Sequence, residues 1–246
     1  MWPRRFDPRQ AAGRAVDAAR RAVGDKLRGA ALYGSAVSGE FHPAYSDVNL
    51  AFVFSALGTA ELSALSRAYP VWRRSRLTRP LLLSEESLRR SLDSYPLEYL
   101  LIREGHEVIS GSDYFGALVI ARDELRLEVE RVLRAQELGL GLSYVALAGT
   151  RGGARLWALQ ALNAIAASAS GLLYLSGQPV PRRKRDLADH CAAAFGVDPA
   201  AFMRLLTLRD TKRDRVEAVE LLDSTLRILN QLLASAERMS APSRNA

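Results

Sequence analysis

Along the first half of the chain, short apolar runs alternate with amphipathic stretches. From Pro8 to Arg28, Ala, Val and Leu recur at helical spacing between Arg and Asp, which predicts an amphipathic helix stopped at Gly29. Ala30–Tyr33 is an apolar run entering Gly34-Ser35 and reads as a strand ending in a turn. Val37–Tyr45 holds Gly39, His42 and Pro43 and is expected to be loop. Asp47–Phe54 (DVNLAFVF) is rich in Val and Phe with polar residues only at its start, the pattern of a buried strand. Thr59–Tyr69 is helical in period, with Thr59 as N-cap. A basic segment at Arg73–Arg76 leads to a strand at Pro80–Leu83, and Ser84 caps a following helix with Glu85 and Glu86 in its first turn. Pro96–Ile102 reads as another strand, and His106–Gly111 as a short strand or turn.

From about residue 122 the period becomes purely helical. It is interrupted near Gly139–Gly141, Gly149–Gly153, Gly177–Pro181, Gly196–Pro199 and Thr207–Arg213. The second half is expected to be a bundle of four or five helices without strands, in which Trp157, Tyr174 and Phe202 are core. The fold class is therefore α+β: a small mixed sheet in residues 1–118, then an all-α bundle in 119–246 that walls one side of a cleft. Only the tail from Ser240 to Ala246 reads as disordered.

At 48% hydrophobic and 25% charged, the composition is that of a globular protein. No apolar run is expected to reach bilayer length, and Met1–Arg9 lacks the apolar core of a signal peptide, so no membrane association is expected. The single Cys191 has no disulfide partner, which points to the cytoplasm. The net charge of +7 favours anionic partners electrostatically. Lysines occur only at 26, 184 and 212, so Arg dominates, a skew expected of GC-rich coding. Solvated surface charge is thus the simpler reading, and a nucleic-acid partner is not expected.

The stretch that carries chemistry is Leu32-Tyr33-Gly34-Ser35, eleven intervening residues, then Asp47-Val48-Asn49-Leu50. A Gly-Ser turn after a strand offers a triphosphate backbone N–H groups, a small hydroxyl and no bulky side chain. Polar residues at i and i+2 of the next strand share one face, because side chains alternate. Two carboxylates in such positions would hold Mg²⁺, which orients phosphates and offsets charge developing in transfer.

Gly34, Ser35, Asp47 and Asn49 resemble the motif of the DNA polymerase beta-like nucleotidyltransferase superfamily. The surrounding YGSAVSGEFHPAYSDVNLAFVF is most similar to the bacterial small-molecule branch, the kanamycin and streptomycin adenylyltransferases. In the streptomycin enzymes a later Pro-Leu-Glu segment supplies a third carboxylate, so the resemblance of Pro96-Leu97-Glu98 assigns Glu98 as metal ligand or base. It also implies Gly34, Ser35 and Ser46 at the nucleotide, Asp47, Asn49 and Glu98 at Mg²⁺, and a helical C-terminal bundle. The implied activity is transfer of a nucleoside monophosphate from a nucleoside triphosphate, ATP by resemblance, to a hydroxyl of a small molecule or protein.

Asn49 departs from the pattern, which has a carboxylate there. Its amide offers one oxygen but no charge, and loss of one electrostatic contributor commonly costs ~10²–10³ in rate. A second reading therefore stays open: an impaired nucleotide-binding or scaffold protein, toxin–antitoxin-like, with a dimer or helical partner docking on the bundle. Glu40, His42 and His106 are weighed as surface residues. Arg73, Arg74 and Arg76 are read as a solvated connection rather than a phosphate fork.

Overall fold

A computed structural model of the chain describes residues 6–43, 46–77, 79–147, 153–208 and 218–240. It divides into two compact units, Met1–Ile120 and Ala121–Ala246.

In the first unit, Asp7 caps helix α1 (Pro8–Val23) by accepting from the Arg9 and Gln10 amides, with Pro8 at the first position, where its missing N–H costs nothing. The buried face of α1 is Ala11, Ala12, Ala15, Val16, Ala18 and Ala19, side chains small enough to let the helix lie close to its neighbours. A 3₁₀ turn at Gly24–Lys26 ends it, and strand β1 (Leu27–Tyr33) follows. The expected helix thus ends before Lys26, and Leu27–Gly29 belongs to the strand. Then come α2 (Ser35–Ser38), β2 (Asn49–Phe54), α3 (Thr59–Leu65), α4 (Tyr69–Arg74), β3 (Leu81–Ser84), α5 (Glu85–Arg90), α6 (Pro96–Glu104) and β4 (His106–Gly111).

The sheet order is β3-β2-β1-β4. β1 is antiparallel to both β2 and β4, while β2 and β3 run parallel, joined through α3 and α4. Leu32, Leu50, Phe52 and Phe54 point to one face and pack with the α1 alanines, Leu65 and Trp72 in a single cluster. Trp72 stacks on Phe52 at 5.3 Å, and its indole N–H donates to the buried Ala15 carbonyl at 3.0 Å, so the ring satisfies both its apolar body and its polar edge. Ala31, Ala51 and Val53, on the alternate positions, are also fully enclosed. α5 packs against β2 and β3, with Ser84 accepting from the Ser87 amide as its cap.

Three further expectations in this unit are corrected. Pro96–Ile102 is helix, not strand: Pro96 occupies the first turn, and Pro96, Leu97, Tyr99, Leu100 and Ile102 form its buried side. Val37 and Ser38 complete one helical turn instead of starting a loop; Ala44 and Tyr45 lie outside the described residues. The helix at Thr59 is capped by Gly58, whose N–H donates to Glu61, and it stops at Leu65.

The second unit holds, among its described residues, α7 (Arg122–Leu147), α8 (Gly153–Leu175), α9 (Lys184–Phe195), α10 (Pro199–Thr207) and α11 (Ala218–Ser240). The fold class is thus the α+β arrangement expected. α7 runs unbroken through Gly139 and Gly141, correcting the break expected there; the cost of two exposed glycines, about 1 kcal/mol each, is spread over a 26-residue helix. The interruption at Gly149–Gly153 and most of that at Thr207–Arg213 fall outside the described residues, as does the tail after Ser240.

α8 is the core, packing against α7, α9, α10 and α11 and burying Trp157, Leu162, Ile165 and Leu172. Phe202 is fully buried too, whereas Tyr174 is only half-buried. By length and composition Trp157–Leu175 could cross a membrane, contrary to the expectation that no run is long enough. Two thirds of it is enclosed within the protein, as a bundle core requires.

Candidate active site

Tyr33, the last residue of β1, pairs with Asn49 on one side and His106 on the other. Residues directly opposite in a sheet project to the same face, so Asn49, Tyr33 and His106 form a polar row across three strands, opposite the face of Leu32 and Leu50. Glu98, on α6, joins this row: the Tyr33 hydroxyl donates to its carboxylate at 3.4 Å. Glu98 keeps an exposed side, yet protein crowds its carboxyl closely enough that desolvation raises its pKa above the ordinary value, partly offset by the Tyr33 hydrogen bond. The Tyr33 phenol is raised as well, first by burial and then by the Glu98 charge.

Gly34 follows Tyr33 with φ 74° and ψ −146°, a conformation essentially closed to other residues. A Cβ at this position would lie 2.8 Å from Asn49 Nδ2, so the Asn49 amide rests on the bare Cα of Gly34. Glycine is needed here for two separate reasons, backbone and close approach. Ser35 opens the single turn α2, in which the Val37 and Ser38 amides both donate to the Gly34 carbonyl at 3.0 Å.

The strand expected to open at Asp47 begins only at Asn49, and residues 46–48 precede it. Val48 is buried in the same cluster as Leu50, while Asp47 is exposed and Asn49 half-buried. Within β2 the alternation puts Asn49 on the face opposite Leu50, while Asp47 lies two residues before it, outside the strand. Ser46 folds back on its own loop: its Oγ accepts from the His42 amide, and its amide donates to the His42 carbonyl, each at 2.9 Å.

The other charged candidates are tied elsewhere. His106 places Nδ1 2.9 Å from the Ile102 carbonyl, closing the end of α6, and Nε2 3.0 Å from Asp113. It also meets the Phe115 ring edge-on, so it is a half-buried strand residue, not a surface turn. Burial works to raise the Asp113 pKa, but the Gly116 and Phe115 amides and His106 together lower it. Glu40 lies 3.5 Å from the Ser38 hydroxyl. Arg73 and Arg74 are exposed at the end of α4. Arg76 is half-buried and engaged: its guanidinium lies 4.4 Å over the Phe6 ring and donates to the Pro43 carbonyl.

Sequence reasoning missed the hydrogen bond of Tyr33 and read Arg76 as solvated, missing its contacts. Tyr33 could have been found: it is the polar-tipped residue at the end of an otherwise apolar strand, at the alternate position to Leu32. Arg76 had no such signal, because its contacts come from Phe6 and Pro43, far away in sequence.

An oxygen-rich donor set of Asp47, Glu98 and the Asn49 amide suits a hard cation such as Mg²⁺, which needs one or two carboxylates plus substrate phosphates and keeps several waters. Among the described residues no three His, Cys, Asp or Glu side chains gather into a ready ligand set.

A broad cleft of about 520 Å³ opens at the far end of β1 from Gly34, lined by Arg20, Asp25, Arg28, Glu85, Ser112 and Tyr114. Tyr114 donates to Glu85 at 2.5 Å, and its ring covers Gly29 so closely that a Cβ there would be 2.8 Å away. The opposed charges of this cleft and its distance along the strand separate it from the motif residues. The motif end is the better candidate because backbone, register and chemistry converge there.

No protein-family model matches the chain, and no curated protein matches it. Among solved structures it is similar to a spectinomycin adenylyltransferase from Enterococcus faecialis, solved with ATP and spectinomycin: 12% identity, TM-score 0.49, covering 89% of this chain and 98% of that one.

Proposed function

We propose that the chain transfers a nucleoside monophosphate from a nucleoside triphosphate to a hydroxyl, with Asp47, Asn49 and Glu98 around the reacting phosphate. The observation that supports this reading is the Tyr33–Asn49 pairing, which brings Gly34 against the Asn49 amide while the Tyr33 hydroxyl donates to Glu98, with Asp47 exposed two residues before Asn49. In this reading Gly34 and Ser35 receive the β- and γ-phosphates, with Ser46 shaping the loop beside them. Asp47, the Asn49 carbonyl and Glu98 would hold Mg²⁺, which when bound offsets charge on the phosphates. The acceptor oxygen attacks the α-phosphorus, the bond to the β-phosphate oxygen breaks, and pyrophosphate leaves. Where Glu98 serves as base instead of metal ligand, it takes the hydroxyl proton, a role that burial, by raising its pKa, suits.

Asn49 favours a second reading, nucleotide binding with little turnover, because an amide leaves the site one charge short. The two are separated by nucleotide titration with and without Mg²⁺, together with pyrophosphate release. Asn49→Asp should tighten Mg²⁺-dependent nucleotide binding and raise pyrophosphate release by ~10²-fold or more if charge is what the site lacks. Asp47→Ala should abolish the Mg²⁺-dependent part in either background. Nucleotide binding that ignores Mg²⁺ and both substitutions would defeat the transfer reading and leave the second.

A further inference from the structure

We infer that Arg76 is a positioning residue that locks the loop delivering Asp47; its functional readout rests on the nucleotidyl-transfer reading, its structural readout does not. Arg76 is the one non-glycine residue with positive φ, 59°, among the described residues. An L-residue is held in that region only when its surroundings over-determine it, and such residues concentrate at functional sites. Here four ties do so. The Arg76 amide donates to the Arg73 carbonyl at 3.1 Å, continuing the turn off α4. The Arg76 carbonyl accepts from the Val48 amide at 3.0 Å, one residue beyond Asp47. The guanidinium donates to the Pro43 carbonyl, inside the loop that joins the two halves of the motif. The same guanidinium lies over Phe6, which itself stacks on Phe41 at 5.7 Å.

One residue therefore holds the loop at Pro43, before Asp47, and at Val48, after it. The left-handed φ makes this geometry available: it turns the main chain so that the carbonyl faces Val48 while the side chain reaches back over the loop. Ser46 and His42 close the span between with their paired hydrogen bonds. Asp47 is exposed and has no hydrophobic anchor of its own, so its position is inherited from these ties. Lysine could not replace Arg76, because a single ammonium cannot both lie flat on Phe6 and donate sideways to Pro43.

The test compares Arg76→Lys, Arg76→Gly and Phe6→Leu in the full chain. Phe6→Leu removes the ring without touching Arg76 and keeps the question answerable if either Arg76 variant fails to fold. Two quantities are read: hydrogen exchange at Val48 relative to Phe52, and ATP affinity with and without Mg²⁺. All three variants should speed exchange at Val48 but not at Phe52. They should weaken the Mg²⁺-dependent part of ATP binding about 10–100-fold, the range seen when an outer residue orients a ligand, while Mg²⁺-free binding holds. Unchanged Val48 exchange overturns the lock, and equal weakening with and without Mg²⁺ reduces Arg76 to a general structural role. If the wild-type chain binds no ATP, the nucleotidyl-transfer reading falls, and the Val48 comparison still decides whether Arg76 holds the loop.

Discussion

Gly34→Ala is the sharpest probe of how the site is built. The substitution has two costs that can be separated. Alanine at φ 74°, ψ −146° sits in a region almost reserved for glycine, which costs roughly 1–3 kcal/mol. Its methyl would lie 2.8 Å from Asn49 Nδ2, closer than carbon and nitrogen tolerate. The colliding atom is the tip of a short, half-buried side chain that can swing away, so this part belongs at the low end of overpacking costs, about 1 kcal/mol. Together they give roughly 2–4 kcal/mol of local destabilisation, or ~30- to 1,000-fold faster exchange of the β1 and β2 amides when exchange follows local opening. Asn49→Ala removes the amide and leaves only its Cβ, 4.0 Å from the new methyl, an ordinary contact. In that background Gly34→Ala should cost only its backbone part, about 1 kcal/mol less. Exchange is the right assay because a global melt mixes two units, whereas β1 and β2 amides report on the first alone. An effect below about 0.5 kcal/mol, or the same cost in both backgrounds, would refute the proposed contact between Gly34 and Asn49.

Two further outcomes follow from groups away from the site. Hydrogen bonds from Lys26 and from the Gly58 amide hold the Glu61 carboxyl down at about 2, against an ordinary 4.5. Its contribution to stability is therefore complete above about 4.5 and lost as pH falls toward 2, so the denaturation gap between wild type and Glu61→Gln should shrink across that window; a gap independent of pH would discount the pairing. Burial pushes the Cys191 thiol up to about 12. A disulfide reagent at pH 8 should then label none of the folded protein and the single cysteine fully in denaturant, and rapid labelling of native protein would contradict the enclosed α9 face.

Much of the first unit was legible because its signals are local. β2 begins where Asn49 gives way to an unbroken apolar run, and Ser84 caps α5 as its sequence suggests. Pro96–Ile102 misled because a seven-residue apolar stretch is equally a buried strand or one side of a buried helix. The arbiter was present in Pro96, which suits a helix start, and in the 97-100 spacing of Leu side chains. Gly139 and Gly141 misled in the opposite direction: glycine weakens a helix without ending it when the flanking turns propagate well. The site divides in the same way. Gly34 and Asn49 could be placed together from the motif, and the structure has them in contact; Asp47, expected on the same strand, lies before it. The Tyr33–Glu98 hydrogen bond and the Arg76 clasp could not, because each joins segments whose meeting depends on how helices pack across the sheet.

The place of β1 in the sheet has a consequence for how the chain is made. β1 is interior, flanked by β2 and β4, yet β4 ends at Gly111, about 80 residues after Tyr33. At translation speeds of roughly 5–20 residues per second, one edge of β1 waits about 4–16 s for its partner, leaving the amides and carbonyls around Ala30–Leu32 unpaired. An apolar strand with an open edge is the kind of surface on which nascent chains stick to one another. The helices of the second unit also pack over long sequence separations, α11 on α7 and α8, but each satisfies its own backbone hydrogen bonds and leaves no open ladder edge while it waits. Slowing elongation between residues 54 and 106 should therefore lower the soluble yield of this chain, whereas the same pause placed within α8 should not.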